Sequence, residues 1–338
     1  MAATSGPQWN PRLAAQYLDA RQQAWFDWPV SRTTTGPCFS CHTGMTYMLA
    51  RPVLRRALGE NEPTSYERDL LNGLQSRAEA RNPREAFARY TKEPVASQAM
   101  GVDTIFAALF LSERNPGSPQ ARTALDRLWS LQIADGPDAG AWNWFELNLN
   151  PWETAESPFF GATLAALAVA AAPADYRARP EIHKRIDALA DYLRREQTHQ
   201  PLHNRLMLAW CSSRLPGVLS KPEARGILDQ ALAAQRDDGS WTAAALGPWN
   251  AHPGLARSGA SDTYATAFTA FLLEQAGVAA SDRHLRAALD WLSRHQDPAT
   301  GAWKAGSMNK EYEPGSMPAL FLQDAATAYA ALALLGGR

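Results

Sequence analysis

The sequence predicts an all-α fold. Three observations carry that reading: Ala, Leu, Arg and Glu recur at helical spacing along nearly the whole chain, strand signals are almost absent, and one helix-plus-turn unit repeats. Gly, Pro, Asp and Trp collect in the joints. At 338 residues and 46% hydrophobic content the chain can fill a sizeable core, and we read 1–338 as a single domain whose residues 1–10 form a flexible N-terminus. Met1-Ala2-Ala3-Thr4-Ser5-Gly6 reads as a start placed on an already processed terminus, so we expect an exported protein, periplasmic or secreted, from which a signal peptide has been removed.

Charge narrows the partners. Lys plus Arg total 33 against 34 for Asp plus Glu, with no long run of one sign, so neither nucleic acid nor a strongly anionic membrane surface is expected. No uninterrupted apolar run reaches the length of a membrane span; Leu164–Ala172 is the longest and reads as a buried helix.

The stretch Gly36-Pro37-Cys38-Phe39-Ser40-Cys41-His42-Thr43-Gly44 carries the sharpest chemistry. Cys-x-x-Cys-His is the attachment signature of c-type haem: two thiols two residues apart can add to the two vinyl groups of one porphyrin, and the next histidine then lies under the iron as proximal ligand. Cys38 and Cys41 are the expected tethers and His42 the expected ligand. Alternatives are zinc, which would need a fourth ligand that no second Cys/His pair supplies, a bare redox pair, or no cofactor at all. Cys211 follows Leu208-Ala209-Trp210 in an apolar helical stretch and reads as core.

The repeat is read in chain order. Ala124–Gln132 runs into Gly140-Ala141-Trp142, Leu228–Gln235 into Asp237-Asp238-Gly239-Ser240-Trp241, and Ala288–Gln296 into Gly301-Ala302-Trp303. Each time a helix ends in Gln, followed by turn residues, Gly, one residue and Trp. The Gln can hydrogen-bond open helix-end groups and the Trp ring can stack on the next unit, so both read as braces. A second, more apolar helix follows each brace, with starts at Ser157–Thr163, Ser261-Asp262-Thr263-Tyr264-Ala265-Thr266 and Gln323-Asp324-Ala325-Ala326-Thr327. Val102-Asp103-Thr104 and His203-Asn204-Arg205 fit less regularly. Cys41-His42-Thr43-Gly44-Met45-Thr46 can be laid over Ser261–Thr266, and it too follows a brace-like helix, Tyr17-Leu18 through Gln22-Gln23-Ala24-Trp25. That makes six helix pairs.

This pattern closely resembles the Gln-Trp repeats of the squalene-hopene cyclase and prenyltransferase superfamily, strongly from about Arg122 onward. The resemblance implies an (α/α)6 toroid of six helix pairs around a central cavity, with the second helix of each pair lining it and all six inner N-termini ringing one mouth. The Cys-x-x-Cys-His motif would then sit on the first inner helix, at that mouth. The other ring positions become pocket candidates: Gln98, Met100, Asp103, Glu156, His203, Asp262 and Asp324. Met100, His203 and His252 are candidates for a distal iron ligand. The loops 143–153, 247–254 and 308–314 interleave aromatic and polar residues, as pocket-lining segments do.

The family's own chemistries do not carry over. Its class II cyclases protonate a double bond with the middle Asp of Asp-x-Asp-Asp-Thr-Ala, where this chain has Ser261 before Asp262-Thr263; its prenyltransferases hold zinc with Asp-x-Cys, which is absent. The leading expectation is an exported haem-c oxidoreductase whose cavity presents an apolar, isoprenoid-type substrate to the iron, with Asp262, Glu156, His203, Asp103 and Asp324 orienting it or moving protons, and with an electron-transfer partner. Alternatives are a cyclase or isomerase using Asp262 as acid, a carbohydrate-active toroid enzyme with paired acids such as Glu156 and Asp262, and a non-catalytic lipid-binding protein.

Overall fold

The computed structural model describes residues 9–34, 36–82, 84, 90, 92–249 and 259–336. Among them the chain is all-α: α1 (Pro11–Asp27), α2 (Gly44–Ala57), α3 (Ser65–Glu79), α4 (Val95–Arg114), α5 (Pro119–Ser130), α6 (Ser157–Ala171), α7 (Pro180–Glu196), α8 (Leu202–Arg214), α9 (Lys221–Ala233), α10 (Thr263–Gln275), α11 (Arg283–Arg294) and α12 (Met317–Leu334), with a few one-turn helices. The described strands are β1 (Arg32–Thr33) and β2 (Gly36–Pro37), antiparallel, pairing Arg32 with Pro37 and Thr33 with Gly36.

The chain falls into two compact units. Unit 1 takes Met1–Asp27, Ser40–Glu67 and Gly226–Arg338, and unit 2 takes Trp28–Phe39 and Arg68–Arg225. Both are built as the expected toroid is, from an amphipathic outer helix, a turn and an apolar inner helix. In unit 2 the inner helices α4, α6 and α8 pack side by side in chain order, and the outer helix α5 lies against both α4 and α6. In unit 1 the inner helices run α10, α12, α2; α11 lies against α10 and α12, and α1 against α12 and α2. Composition explains the layering. Outer α11 buries Leu285, Ala288, Trp291 and Leu292, one stripe at helical spacing, whereas inner α6 is buried without a break from Ser157 to Val169.

The braces have one geometry. Gln132 Nε2 donates to the carbonyl of Gly140 in its own turn (3.0 Å) and of Arg185 on the next outer helix (3.0 Å). Gln235 does the same to Gly239 and His284 (both 2.8 Å). Trp142, Trp241 and Trp303 donate their indole N–H to Leu128, Ala231 and Leu292, each the carbonyl four residues before the Gln, which closes open groups at the helix end. The third Gln, Gln296, reaches the carbonyls of Gly301 (2.9 Å) and Asn10 (3.0 Å). Its next outer helix is therefore α1, at the other end of the chain. Gly140 and Gly301 have φ of +100° and +78°, and a methyl on either would overlap the backbone of the following outer helix, at Ala188 and Leu13 respectively.

The first pair departs from the pattern. Gln22 is fully buried, but both of its amide atoms lack a hydrogen-bond partner, so it does not brace as expected. The inner helices α4 and α12 also begin earlier than expected. Asp103 and Asp324, predicted at helix starts, lie eight and seven residues inside their helices. Both helices reach the length and mean hydropathy of a membrane span, yet 83% and 61% of those windows are buried inside the protein, and each carries one of these ion-paired aspartates.

Candidate functional site

The Cys-x-x-Cys-His motif sits where β2 hands over to α2. The β1–β2 ladder delivers Cys38, whose N–H donates to the Ser31 carbonyl at 2.7 Å. Ser40 then turns the chain: its hydroxyl accepts the N–H groups of Thr43 (3.1 Å) and Gly44 (2.8 Å), and its carbonyl accepts that of Met45 (2.9 Å), satisfying open donors at the start of α2. Cys38 is half-buried and Cys41 buried, and neither is in a disulfide.

His42 is held from several sides. Its ring stacks on Phe321 of α12 (centroids 3.4 Å, planes 19° apart) and meets Trp25 of α1 edge-on at 5.2 Å. Nδ1 lies 3.1 Å from Thr43 Oγ1. The Thr43 hydroxyl donates to Asp324 Oδ2 at 2.8 Å, while Asp324 Oδ1 accepts Arg21 Nε at 2.7 Å and the Tyr17 hydroxyl at 2.9 Å. Burial, with the nearby Arg21 charge, pulls the His42 imidazole down to about 3, so it is neutral at physiological pH. Burial pushes the Asp324 carboxyl up against the opposing pull of Arg21, Thr43 and Tyr17. Every residue of this chain of contacts belongs to unit 1.

Unit 2 repeats part of this arrangement. Arg77 Nε donates to Asp103 Oδ1 at 2.8 Å with both side chains buried, and burial raises the Asp103 carboxyl against the pull of Arg77. Among the described residues no His-Thr pair is bonded to that ion pair; the Arg–Asp contact is a structural element used twice. Gln98 and Met100 lie in the first two turns of α4, Gln98 buried and Met100 half-buried against Ala99.

Three ring positions do stand at helix starts. Asp262 caps α10, accepting the Ala265 N–H at 2.7 Å; burial raises its carboxyl while the Ala265 and Tyr264 N–H groups oppose the rise. Ser261, in the place of the cyclase acid, donates to Asp238 Oδ2 at 2.7 Å in the preceding turn. Glu156 is exposed and occupies the cap position of α6 without a side-chain capping bond. His203, second in α8, is fully buried, with its Nδ1 2.9 Å from Asn204 Oδ1 and its ring stacked on Phe160; burial lowers it to about 4. Asn204 in turn donates to the Glu156 carbonyl at 3.1 Å, which joins the starts of α6 and α8. His252 lies outside the described residues. Cys211 is core, as expected: it is fully buried, and burial raises its thiol.

Glu153 ends the loop 143–153 that the sequence marked as pocket-lining, but the sequence did not single it out as an acid. It sits in the turn before α6, where its backbone pairs with Leu149 in both directions (2.9 and 3.0 Å), and burial alone pushes its carboxyl up to about 7. The signal for it is tertiary. Trp144 donates to the Trp152 carbonyl at 2.7 Å and packs the turn down. Among the described residues no group of three or more His, Cys, Asp and Glu is placed to hold a metal ion.

No protein-family model and no curated protein sequence matches the chain. Solved structures similar to it include an ent-copalyl diphosphate synthase from Streptomyces platensis, at 17% identity over 97% of this chain and 50% of that one, TM-score 0.29. Another is a possible member of the GH105 family from Salmonella enterica, at 12% identity over 97% of this chain and 94% of that one, TM-score 0.34. The chain thus spans about half the length of the synthase.

Proposed function

We propose that this chain is a haem-c redox protein, with Cys38 and Cys41 as tethers and His42 as proximal ligand. One observation carries the reading: His42, next to two thiols free of any disulfide, is a half-buried imidazole whose environment keeps it neutral, the form in which a histidine ligates iron. The group, when bound, supplies one-electron or oxygen chemistry. The protein's part is positional. Ser40 fixes the turn that carries Cys41 and His42, and the Phe321 and Trp25 rings restrict rotation of the imidazole. The exported compartment follows from where covalent attachment takes place, and the apolar, isoprenoid-type substrate follows from the Gln-Trp repeat resemblance.

The test is a pyridine haemochrome spectrum on protein made in the periplasm of a host able to attach haem c, beside Cys38→Ala and Cys41→Ala. Covalent haem that is lost in the controls is expected; none in the parent protein overturns the reading.

A second reading, acid–base catalysis on an isoprenoid or a glycan, is favoured by Glu153. A carboxyl raised to about 7 by burial on a backbone-locked turn is suited to give or take a proton, whereas the Asp262 carboxyl is engaged in capping α10. Loss of turnover in Glu153→Gln with a polyprene or glycan substrate would support it, and full activity would remove it.

A further inference from the structure

We propose that Thr43 and Asp324 are positioning residues that fix the tautomer of His42, placing the proton on Nδ1 and leaving the lone pair of Nε2 for iron. The proposal rests on the haem reading for its purpose and on hydrogen-bond accounting for its substance. Thr43 has one hydroxyl proton, and it points to Asp324 Oδ2 at 2.8 Å. Its oxygen can then only accept from the imidazole nitrogen 3.1 Å away, so that nitrogen, Nδ1, must carry the hydrogen. Asp324 is kept as an acceptor because three donors converge on it: Thr43 on Oδ2, and Arg21 and Tyr17 on Oδ1. Thr43 and Asp324 are 2% and 1% exposed, so water does not compete for these bonds. A neutral imidazole with its proton on Nδ1 has its lone pair on Nε2.

The arrangement is the protein equivalent of a carboxylate standing behind a ligating histidine, relayed through one hydroxyl. Such a partner makes the imidazole a stronger donor and favours the oxidised metal. Arg77 and Asp103 in unit 2 supply the contrast, since among the described residues the same ion pair there has no Thr-His extension.

Two measurements test it. In haem-free protein labelled with nitrogen-15 at histidine, long-range proton–nitrogen correlations should show His42 with Nδ1 protonated, by roughly tenfold or more over the other tautomer. Thr43→Val should erode that preference and Thr43→Ser should keep it. A wild-type His42 protonated on Nε2, or a Thr43→Val spectrum unchanged at His42, would overturn the proposal whether or not haem binds. In haem-loaded protein, Thr43→Val and Asp324→Asn should both raise the midpoint potential and Thr43→Ser should stay near wild type; no rise also overturns it. If Asp324→Asn does not fold, the two Thr43 variants decide. An empty haemochrome spectrum would defeat the haem reading alone, leaving the tautomer result standing.

Discussion

Gln296 and Asn10, 286 residues apart, are joined twice: the Gln296 amide donates to the Asn10 carbonyl at 3.0 Å, and the Asn10 N–H returns to Gln296 Oε1 at 2.6 Å. The pair uses the same brace that elsewhere links one outer helix to the next in sequence. Gln296→Ala removes both bonds and opens the Asn10 carbonyl and N–H. A loss of about 1–3 kcal/mol in urea unfolding is expected, with hydrogen exchange rising first in α1.

Two left-handed glycines, one in a brace and one outside, separate two costs. Gly140→Ala meets both a left-handed backbone at φ +100° and the Ala188 carbonyl, whereas Gly217→Ala meets only φ +89° with open space around it. Gly217→Ala should cost about 1 kcal/mol and Gly140→Ala at least about twice that, compared by thermal unfolding.

The Arg77–Asp103 pair is buried on both sides. Asp103→Ala strands the guanidinium and should cost about 3–5 kcal/mol, while Arg77→Met with Asp103→Leu should cost clearly less in the same denaturation experiment.

Acid and base should act on the fold with opposite signs at two residues. His203 is held neutral with its pKa lowered to about 4, so below pH 6.5 the unfolded chain binds the proton first and stability falls as pH drops toward 4. His203→Gln should flatten that limb of a plot of urea midpoint against pH. Glu153 is raised to about 7; its folded form holds a proton that the unfolded chain gives up above pH 4.5, so its contribution is present below 4.5 and lost as pH rises through 7. Glu153→Gln should therefore leave stability at pH 4.5 nearly unchanged and raise it at pH 8, by about 1–3 kcal/mol.

Local patterns were legible before the structure. Gln132 and Gln235 brace as their spacing implied, because their partners are a nearby turn and the next outer helix in sequence, whereas the Trp indole N–H groups bond back to the helix before them instead of to the next unit. The starts of α4 and α12 were misplaced because Asp103 and Asp324 look like caps; their carboxylates are spent on Arg77 and Arg21 instead. Ser316 and Pro318, a local start signal for α12, were available but lay outside the repeat alignment. The Thr43–Asp324 bond spans 281 residues and has no local trace, and the raised Glu153 carboxyl depends on packing alone.

Unit 1 draws its helices from both ends of the chain, and this has a temporal consequence. During synthesis α1 and α2 leave the ribosome well before α12, which covers them and carries Phe321 and Asp324. Unit 2 spans one continuous stretch from Arg68 to Arg225 apart from its short leading segment, so it can fold while the ribosome still holds the remainder. The newborn Cys-x-x-Cys-His segment therefore waits, uncovered by its final partners, until α12 has been made.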